Sequence, residues 1–592
     1  MSFKLPSIRK NSVPTIISKN NIPRFQIEGV KELRQLGSGS FGSVILVRRT
    51  NNQQAVVKKI KKEDEEDNRQ QRLFYKEAAI LNNVNHKNVV KFLGICTKPC
   101  ALMLEYLCFD FKPFGGSATV SSLDQYLSYI DDHDLVLEFP FQTLIATDIA
   151  KGLEYLHSND VVHRDLKPGN ILVSNTHYSE LRGSQMEEAF KTSPIKCKLT
   201  DFGESRSEAA QTATLRHQAT ANVYRGSPAY MAPEIFSEAS NKFVASMNDL
   251  QLVDIWALGM VLFIILNPDL EYPYYLDIQR AKRHGEKWRE VIQSKMSKGE
   301  LPKGSLKYHT LQATDWFIVS EAMERCLSYM PKNRPSAREI SHLLERDFDI
   351  PCRNISLMCS QSTAIEELHA RLVDGCDKEI VSIDNDGTNS CTFLAVLLAD
   401  VLISDGEELP TQIDEWEELA QKVSVIIMKA PRKFNHLRDI NRKYDVLEAY
   451  GRLRDGKLTK PGYEFTEEIL TANRMYSPEG RRALIDGITR LFTVDDVPGV
   501  ALYTCGGYTF LIGCKNGKFF LIDTHRISSS LGGNGNGILK VYPNEKESAK
   551  RVCCWIWKRL KDSGVDETNL QSLSIVDPPR YAVIVIKCDK LY

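Results

Sequence analysis

The chain has 592 residues, more than one hydrophobic core organises, so two or more domains are expected. With 76 basic and 76 acidic side chains the formal net charge is zero, which removes any bulk electrostatic reason to expect nucleic acid or an anionic membrane as partner. The 14 cysteines are scattered, with no Cys-x-x-Cys pair, which argues against a disulfide framework and a structural zinc site and for a reducing, cytoplasmic or nuclear, location.

In chain order, the first 24 residues carry five Lys or Arg, no acid, and Pro6, Pro14 and Pro23. Residues 1–25 therefore read as a disordered basic arm, with a mitochondrial presequence as the alternative. Strand patterns at 44–47, 55–57 and 102–105 precede helical patterns at 144–157 and 254–266, a small β-rich part before a larger helical one. Pro351 and the polar stretch at 354–363 suggest a linker over 351–374. A second domain, 375–592, opens with an apolar helix after Cys391 and closes with β-rich segments at 500–512, 518–523, 537–541 and 580–586. The apolar runs 257–266 and 393–403 fall short of the roughly 20 residues a bilayer span needs. No secretory signal, membrane span, internal repeat or heptad array is read. The expected class is α+β, multidomain.

Gly37-Ser38-Gly39-Ser40-Phe41-Gly42-Ser43-Val44 lies between two apolar strands. Glycines there let backbone amides approach phosphate oxygens with no Cβ in the way. The pattern is weak alone and gains from the ordered set after it. Lys58, in Ala55-Val56-Val57-Lys58, lies where a strand lysine reaches α- and β-phosphates, and Glu77, on a helix predicted over 69–84, can pair with it. His163-Arg164-Asp165-Leu166-Lys167-Pro168-Gly169-Asn170 supplies a carboxylate for a substrate hydroxyl and an amide for a metal, and Asp201-Phe202-Gly203 a second carboxylate for Mg²⁺.

This ordered set resembles the protein kinase family over residues 26–350. The likeness continues through Ala232-Pro233-Glu234, Asp254-Ile255-Trp256-Ala257-Leu258-Gly259 and Arg334-Pro335, and implies a bilobal fold in which Glu234 pairs with Arg334. It also implies phosphoryl transfer from ATP with Mg²⁺. Lys58 would hold the phosphates, Glu77 orient Lys58, Asp165 receive the acceptor hydroxyl, Lys167 neutralise the transferring phosphoryl, and Asn170 and Asp201 hold Mg²⁺. Lys167 and the segment from Gly226 to Glu234 resemble Ser/Thr kinases of the tyrosine-kinase-like branch, so protein substrates phosphorylated on Ser or Thr are implied.

Val56 departs from the alanine usual in the family and puts two extra methyl groups at the roof of the nucleotide pocket. The hinge falls after Leu104, the expected gatekeeper or else an ordinary core strand residue, with Glu105 and Leu107 against adenine. Residues 109–122 and 176–194 read as insertions forming surface loops. Thr212, Thr214, Thr220, Tyr224 and Ser227 make the activation segment a candidate for phosphorylation, or simply a solvated loop. A pseudokinase would have lost Lys58, Asp165 or Asp201, and all three are present.

In the second domain Asn385-Asp386-Gly387-Thr388-Asn389-Ser390-Cys391 runs into the apolar helix at 392–403. A cysteine at a helix N-terminus sits in the positive end of the dipole, which favours its thiolate. The bland reading is a buried small hydrophobe. Downstream, Asp523-Thr524-His525 would place a carboxylate and an imidazole on one face of a strand, the arrangement that fixes the tautomer of a thiol-activating histidine. A surface histidine at a strand end is the alternative.

Together these residues resemble the papain-like cysteine proteases over residues 375–545. Asn389-Ser390-Cys391 is similar to the cysteine motif of ubiquitin-specific proteases. Asp523-Thr524-His525-Arg526 with Gly535 and Gly537-Ile538-Leu539 is similar to herpesvirus tegument deubiquitinases. The resemblance implies Cys391 as nucleophile, His525 as base, Asp523 as orienter, and ubiquitin or a ubiquitin-like protein as substrate. Asp386 stands where ubiquitin-specific proteases have Asn, which leaves the oxyanion donor open. Three readings follow: a kinase fused to a cysteine isopeptidase, a kinase with a non-catalytic recognition module, or a pseudokinase scaffold.

Overall fold

A computed structural model describes residues 22–39, 42–61, 68–135, 141–203, 205–207, 228–236, 246–345, 353–357, 390–404, 413–439, 441–469, 475–490, 499–515, 518–525, 527–528, 531, 537–542, 548–565 and 571–577. It divides into two units, Met1–Tyr308 with Ile318–Asp347, and His309–Phe317 with Phe348–Tyr592. The expected activation-segment residues Thr212, Thr214, Thr220, Tyr224 and Ser227, the oxyanion segment 385–389, and the predicted strand at 580–586 lie outside the described residues.

The first unit opens with a five-stranded antiparallel sheet of order β1-β2-β3-β5-β4. Its strands are β1 (Val30–Gly39), β2 (Gly42–Arg49), β3 (Gln54–Ile60), β4 (Phe92–Thr97) and β5 (Cys100–Glu105). Ala55 and Val57 are buried with Val47, Cys96, Ala101 and Met103, so alternation along β3 gives Val56 and Lys58 to the opposite face. The helix Asn68–Asn83, between β3 and β4, carries Glu77. Residues 23–25 belong to the fold, not to the expected arm: Phe25 N donates to Ile95 O at 3.0 Å and Ile95 N to Pro23 O at 2.8 Å.

The rest of the unit is mainly helical. Its longest helix, Met247–Leu266, starts at a capping box in which Ser246 and Asp249 bond each other's backbone amides. Among the described residues this is the one helix with the length and apolar composition of a bilayer span, and 78% of its most apolar window is buried within the fold.

The expected surface loop at 109–122 is instead an ordered, partly buried hairpin of β6 (Phe109–Asp110) and β7 (Thr119–Val120). Phe109 and Phe111 have no exposure, because their rings pack on Tyr126 at 5.0 and 5.6 Å. The other insertion contains the helix Gly183–Thr192, whose Phe190 ring lies 5.9 Å from Phe114 and 6.2 Å from Phe141. The two insertions thus share one aromatic cluster. Short strands β8 (Val161–Val162), β9 (Ile171–Ser174), β10 (Lys196–Leu199) and β11 (Arg206–Ser207) frame the loops between them.

The second unit is built on a seven-stranded antiparallel sheet of order β12-β17-β16-β15-β14-β18-β13. The strands are β12 (Arg353–Leu357), β13 (Glu464–Ile469), β14 (Gly499–Cys505), β15 (Tyr508–Lys515), β16 (Lys518–Asp523), β17 (Gly537–Val541) and β18 (Gln571–Asp577). Both faces are covered, which is why the central strands read as nearly continuous apolar runs. Val500, Leu502, Phe520 and Ile522 pack with the helices Cys391–Ser404, Ile413–Phe434 and Val446–Asp455. Ala501, Tyr503, Phe519 and Leu521 pack on the other face with Pro478–Arg490 and Ser548–Asp562. The expected linker at 351–374 is corrected here: Arg353–Leu357 pairs with β17 as an edge strand, and Leu357 is 1% exposed in the core.

Candidate active sites

Lys58 reaches across the first unit's cleft to two carboxylates. Its Nζ lies 2.9 Å from Glu77 Oε1 and 2.8 Å from Asp201 Oδ1. Burial works against the charge on Lys58, but Glu77 and Asp201 outweigh it and raise its pKa above the ordinary lysine range. Burial also makes Glu77 the harder carboxylate to ionise, whereas Asp201, desolvated too, is held below its ordinary range by Lys58.

Opposite them, Asp165 Oδ2 accepts from Lys167 Nζ at 2.7 Å and from Asn170 Nδ2 at 3.0 Å. Asn170 Nδ2 also donates to Asp165 O at 2.7 Å, which turns the amide nitrogen inward and leaves the amide oxygen for a cation. A carboxylate oxygen of Asp201 with that amide oxygen is a donor set that suits a small, hard divalent ion.

A buried carboxylate holds this loop in place. Asp254, with no exposure, accepts from His163 N and Arg164 N at 2.7 Å each and from His157 Nε2 at 3.0 Å. Arg164 has φ +69° and Asp201 φ +64°, conformations that side-chain-bearing residues seldom adopt without such support. The sequence places Asp254 in a motif, but only the structure gives it this task. Glu234 and Arg334 meet in a two-pronged pair at 2.7 and 2.8 Å, with the guanidinium over the Trp256 ring.

The glycine loop is pinned at its second strand. Gly42, at φ +143°, faces Gly39 across the turn, and a Cβ on it would sit 1.8 Å from Lys59 O. Only glycine fits, so the backbone stays open where phosphates approach. Gly37 and Ser38 lie on β1 and Val44 on β2, while Ser40 and Phe41 lie outside the described residues. Val56 is paired with the gatekeeper Leu104 across β3 and β5. Glu105 Oε1 accepts from Lys198 Nζ at 2.6 Å and from Lys91 N at 2.7 Å. Leu107 is buried.

Residues 30–344, more than half of the chain, match the protein kinase domain family. The chain belongs to the protein kinase family. Similar proteins include the serine/threonine-protein kinase STY46 of Arabidopsis thaliana, 32% identical over 210 residues, 35% of this chain and 28% of that protein. The mitogen-activated protein kinase kinase kinase zak-1 of Caenorhabditis elegans is 26% identical over 46% of this chain and 30% of its own length. The serine/threonine/tyrosine-protein kinase HT1 of Arabidopsis thaliana is 26% identical over 46% of this chain and 54% of its own length. The chain thus spans between about a quarter and about half of these relatives.

The second unit has its own constellation. Cys391, 6% exposed, is the first residue of Cys391–Ser404. Its thiol donates to Gly507 O at 3.6 Å, the Thr392 and Thr509 hydroxyls bond each other at 2.8 Å, and His525 lies close enough to act on the ionisation of the sulfur. His525 Nδ1 lies 2.5 Å from Asp523 Oδ1. The structure therefore brings Cys391, His525 and Asp523 together. The reason differs from the expected shared strand face: β16 ends at Asp523, and His525 is carried back by a turn in which its own amide donates to Asp523 Oδ1 at 2.9 Å.

Burial alone would keep Cys391 protonated, but the hydrogen bond and charge of His525 bring its pKa below the ordinary thiol value. Burial likewise opposes charge on His525, and Asp523 with Cys391 outweighs it, raising the imidazole well above its usual value. Asp523, though fully desolvated, is held below the usual carboxylate range by His525 and Arg559. Both shifts run in the direction that a thiolate–imidazolium pair requires. Sequence reasoning missed Thr509, Tyr508 and Arg559, whose residue types carry no local signal of a site.

Proposed function

We propose that the first unit is an ATP- and Mg²⁺-dependent kinase that phosphorylates Ser or Thr of protein substrates in intracellular signalling. The observation that carries this is Lys58 bridging Glu77 and Asp201 while Asp165, Lys167 and Asn170 stand assembled. ATP supplies the phosphoryl group; Lys58 would bind its phosphates, and Asn170 and Asp201 the metal. Asp165 accepts the proton of the attacking hydroxyl, and Lys167 offsets charge on the transferring group. Lys167 also supports Ser/Thr over Tyr as acceptor. Incubation of the full chain with labelled ATP, Mg²⁺ and a generic protein substrate tests this: equal incorporation by wild type and Asp201→Ala would remove the activity.

A second reading concerns the other unit, of which the kinase match reaches only residues 309–317. It is a cysteine isopeptidase acting on ubiquitin or a ubiquitin-like protein, and the contact of His525 with Asp523, with its pull on the ionisation of Cys391, supports it. The Cys391 thiolate would attack the carbonyl, His525 would hand its proton to the leaving amine, and water would release the thioester as acid. Reaction with a ubiquitin-based electrophilic probe decides it. An adduct on wild type and none on Cys391→Ala is expected; no adduct on wild type would leave a recognition module in its place. A cytoplasmic or nuclear location, proposed from the cysteine usage, is checked by imaging the tagged chain.

A further inference from the structure

Asp523 has two oxygens and two tasks. Oδ1 meets His525, while Oδ2 accepts from Arg559 Nε at 3.1 Å. Arg559 belongs to the last turn of Ser548–Asp562, on the sheet face away from Cys391–Ser404, and is 7% exposed. Its guanidinium lies 5.1 Å from the centre of the Tyr508 ring, and that ring lies 4.9 Å from the imidazole of His525. The contacts close on themselves: arginine to carboxylate, carboxylate to imidazole, imidazole to tyrosine, tyrosine to arginine.

Two physical consequences follow. A carboxylate held at one oxygen can rotate about its Cβ–Cγ bond; held at both, it cannot, and the imidazole inherits that fixity. Charge is the second. A thiolate, an imidazolium and a carboxylate carry a net negative charge in a site with almost no water, and one permanent cation brings the sum to zero.

We propose that Arg559 is a positioning residue of the thiol site, holding the second oxygen of Asp523 so that the carboxylate is fixed at both and aims His525 at Cys391. This rests on the thiol-site reading above. The other charged or titratable groups nearby are Tyr508, Lys540 of β17 over the Trp555 ring, Lys443 on Gly506 O, and Asp562 held by Ser528.

The test is alkylation of the full chain with iodoacetamide across pH, following the Cys391 peptide by mass spectrometry. Wild-type Cys391 is expected to react as a thiolate at pH values below the titration of an ordinary thiol. In Arg559→Gln the profile should move up by about one pH unit, so that below the midpoint the rate falls roughly tenfold. Arg559→Lys, which keeps the charge but not the fork, should fall between the two, and it is the variant to read if Arg559→Gln does not fold. A wild-type profile like that of a free thiol overturns the thiol-site reading itself. A depressed wild-type profile that coincides with those of folded Arg559→Gln and Arg559→Lys overturns the role of Arg559 alone.

Discussion

Asp254→Asn isolates what a buried carboxylate does for the catalytic loop. In the native site its oxygens take three donors, the amides of residues 163 and 164 and His157 Nε2. An asparagine has one acceptor oxygen and an amide that cannot accept, so at least one buried N–H loses its partner, at about 1–3 kcal/mol. The surviving bonds lose their charge assistance. Arg164, at φ +69°, is then no longer over-determined, and a left-handed conformation there costs about 1–3 kcal/mol. A net penalty of about 2–4 kcal/mol on the competent loop corresponds to a fall of roughly 30- to 1,000-fold in kcat. The KM for ATP should change far less, because Lys58 and the hinge do not depend on this carboxylate. Steady-state phosphorylation of a Ser/Thr peptide, with thermal unfolding as the folding control, measures both. A folded variant with kcat within about threefold of wild type would refute the reasoning.

Gly42→Ala should weaken ATP binding at least tenfold by isothermal titration, since a Cβ 1.8 Å from Lys59 O forces β2 away from β3. Phe190→Ala should lower the melting temperature of the first unit, losing about 1–2 kcal/mol of aromatic packing on Phe114, Phe141 and Tyr178, while kcat and the KM for ATP stay as they are. An unchanged melting temperature would show that the two insertions do not support each other.

How much of this was legible depends on how far apart the cooperating atoms are in sequence. The glycine loop, Lys58 and the segment from His163 to Asn170 each carry their chemistry within a few neighbouring residues, so the order of motifs points to the cleft. Asp523 and His525 are two residues apart, and their pairing needs only a turn. Asp254 is different: its partners lie 90 to 97 residues earlier, and nothing local marks its carboxylate as a loop anchor. Arg559 is hidden for a related reason, because a basic residue near a helix C-terminus reads as a solvated cation. The strand Arg353–Leu357 escaped notice because five residues, with a single Ile between Asn and Ser, are too few for period-two alternation to stand out.

Asp254 and Asp523 share a device and differ in what drives it, and pH separates them. Each is a carboxylate with no exposure whose pKa is lowered: burial opposes ionisation in both, and His157 with the loop amides, or His525 with Arg559, outweighs it. For a depressed carboxylate the stabilisation is present above the unfolded value, about 3.9, and is lost as pH falls through the folded one. Both units should therefore weaken in acid. His525 has the opposite sign. Its raised pKa contributes stability that is complete below the unfolded value, about 6.5, and is lost as pH rises through the folded one. Two of the three donors to Asp254 are backbone amides, which do not titrate, so the melting-temperature gap between wild type and Asp254→Asn should persist in large part from neutral into alkaline solution. The gap between wild type and Asp523→Asn should close over the same range as the imidazolium is lost. If the second gap narrows no more than the first, Asp523 is held by its neutral hydrogen bonds and not by the charge on His525.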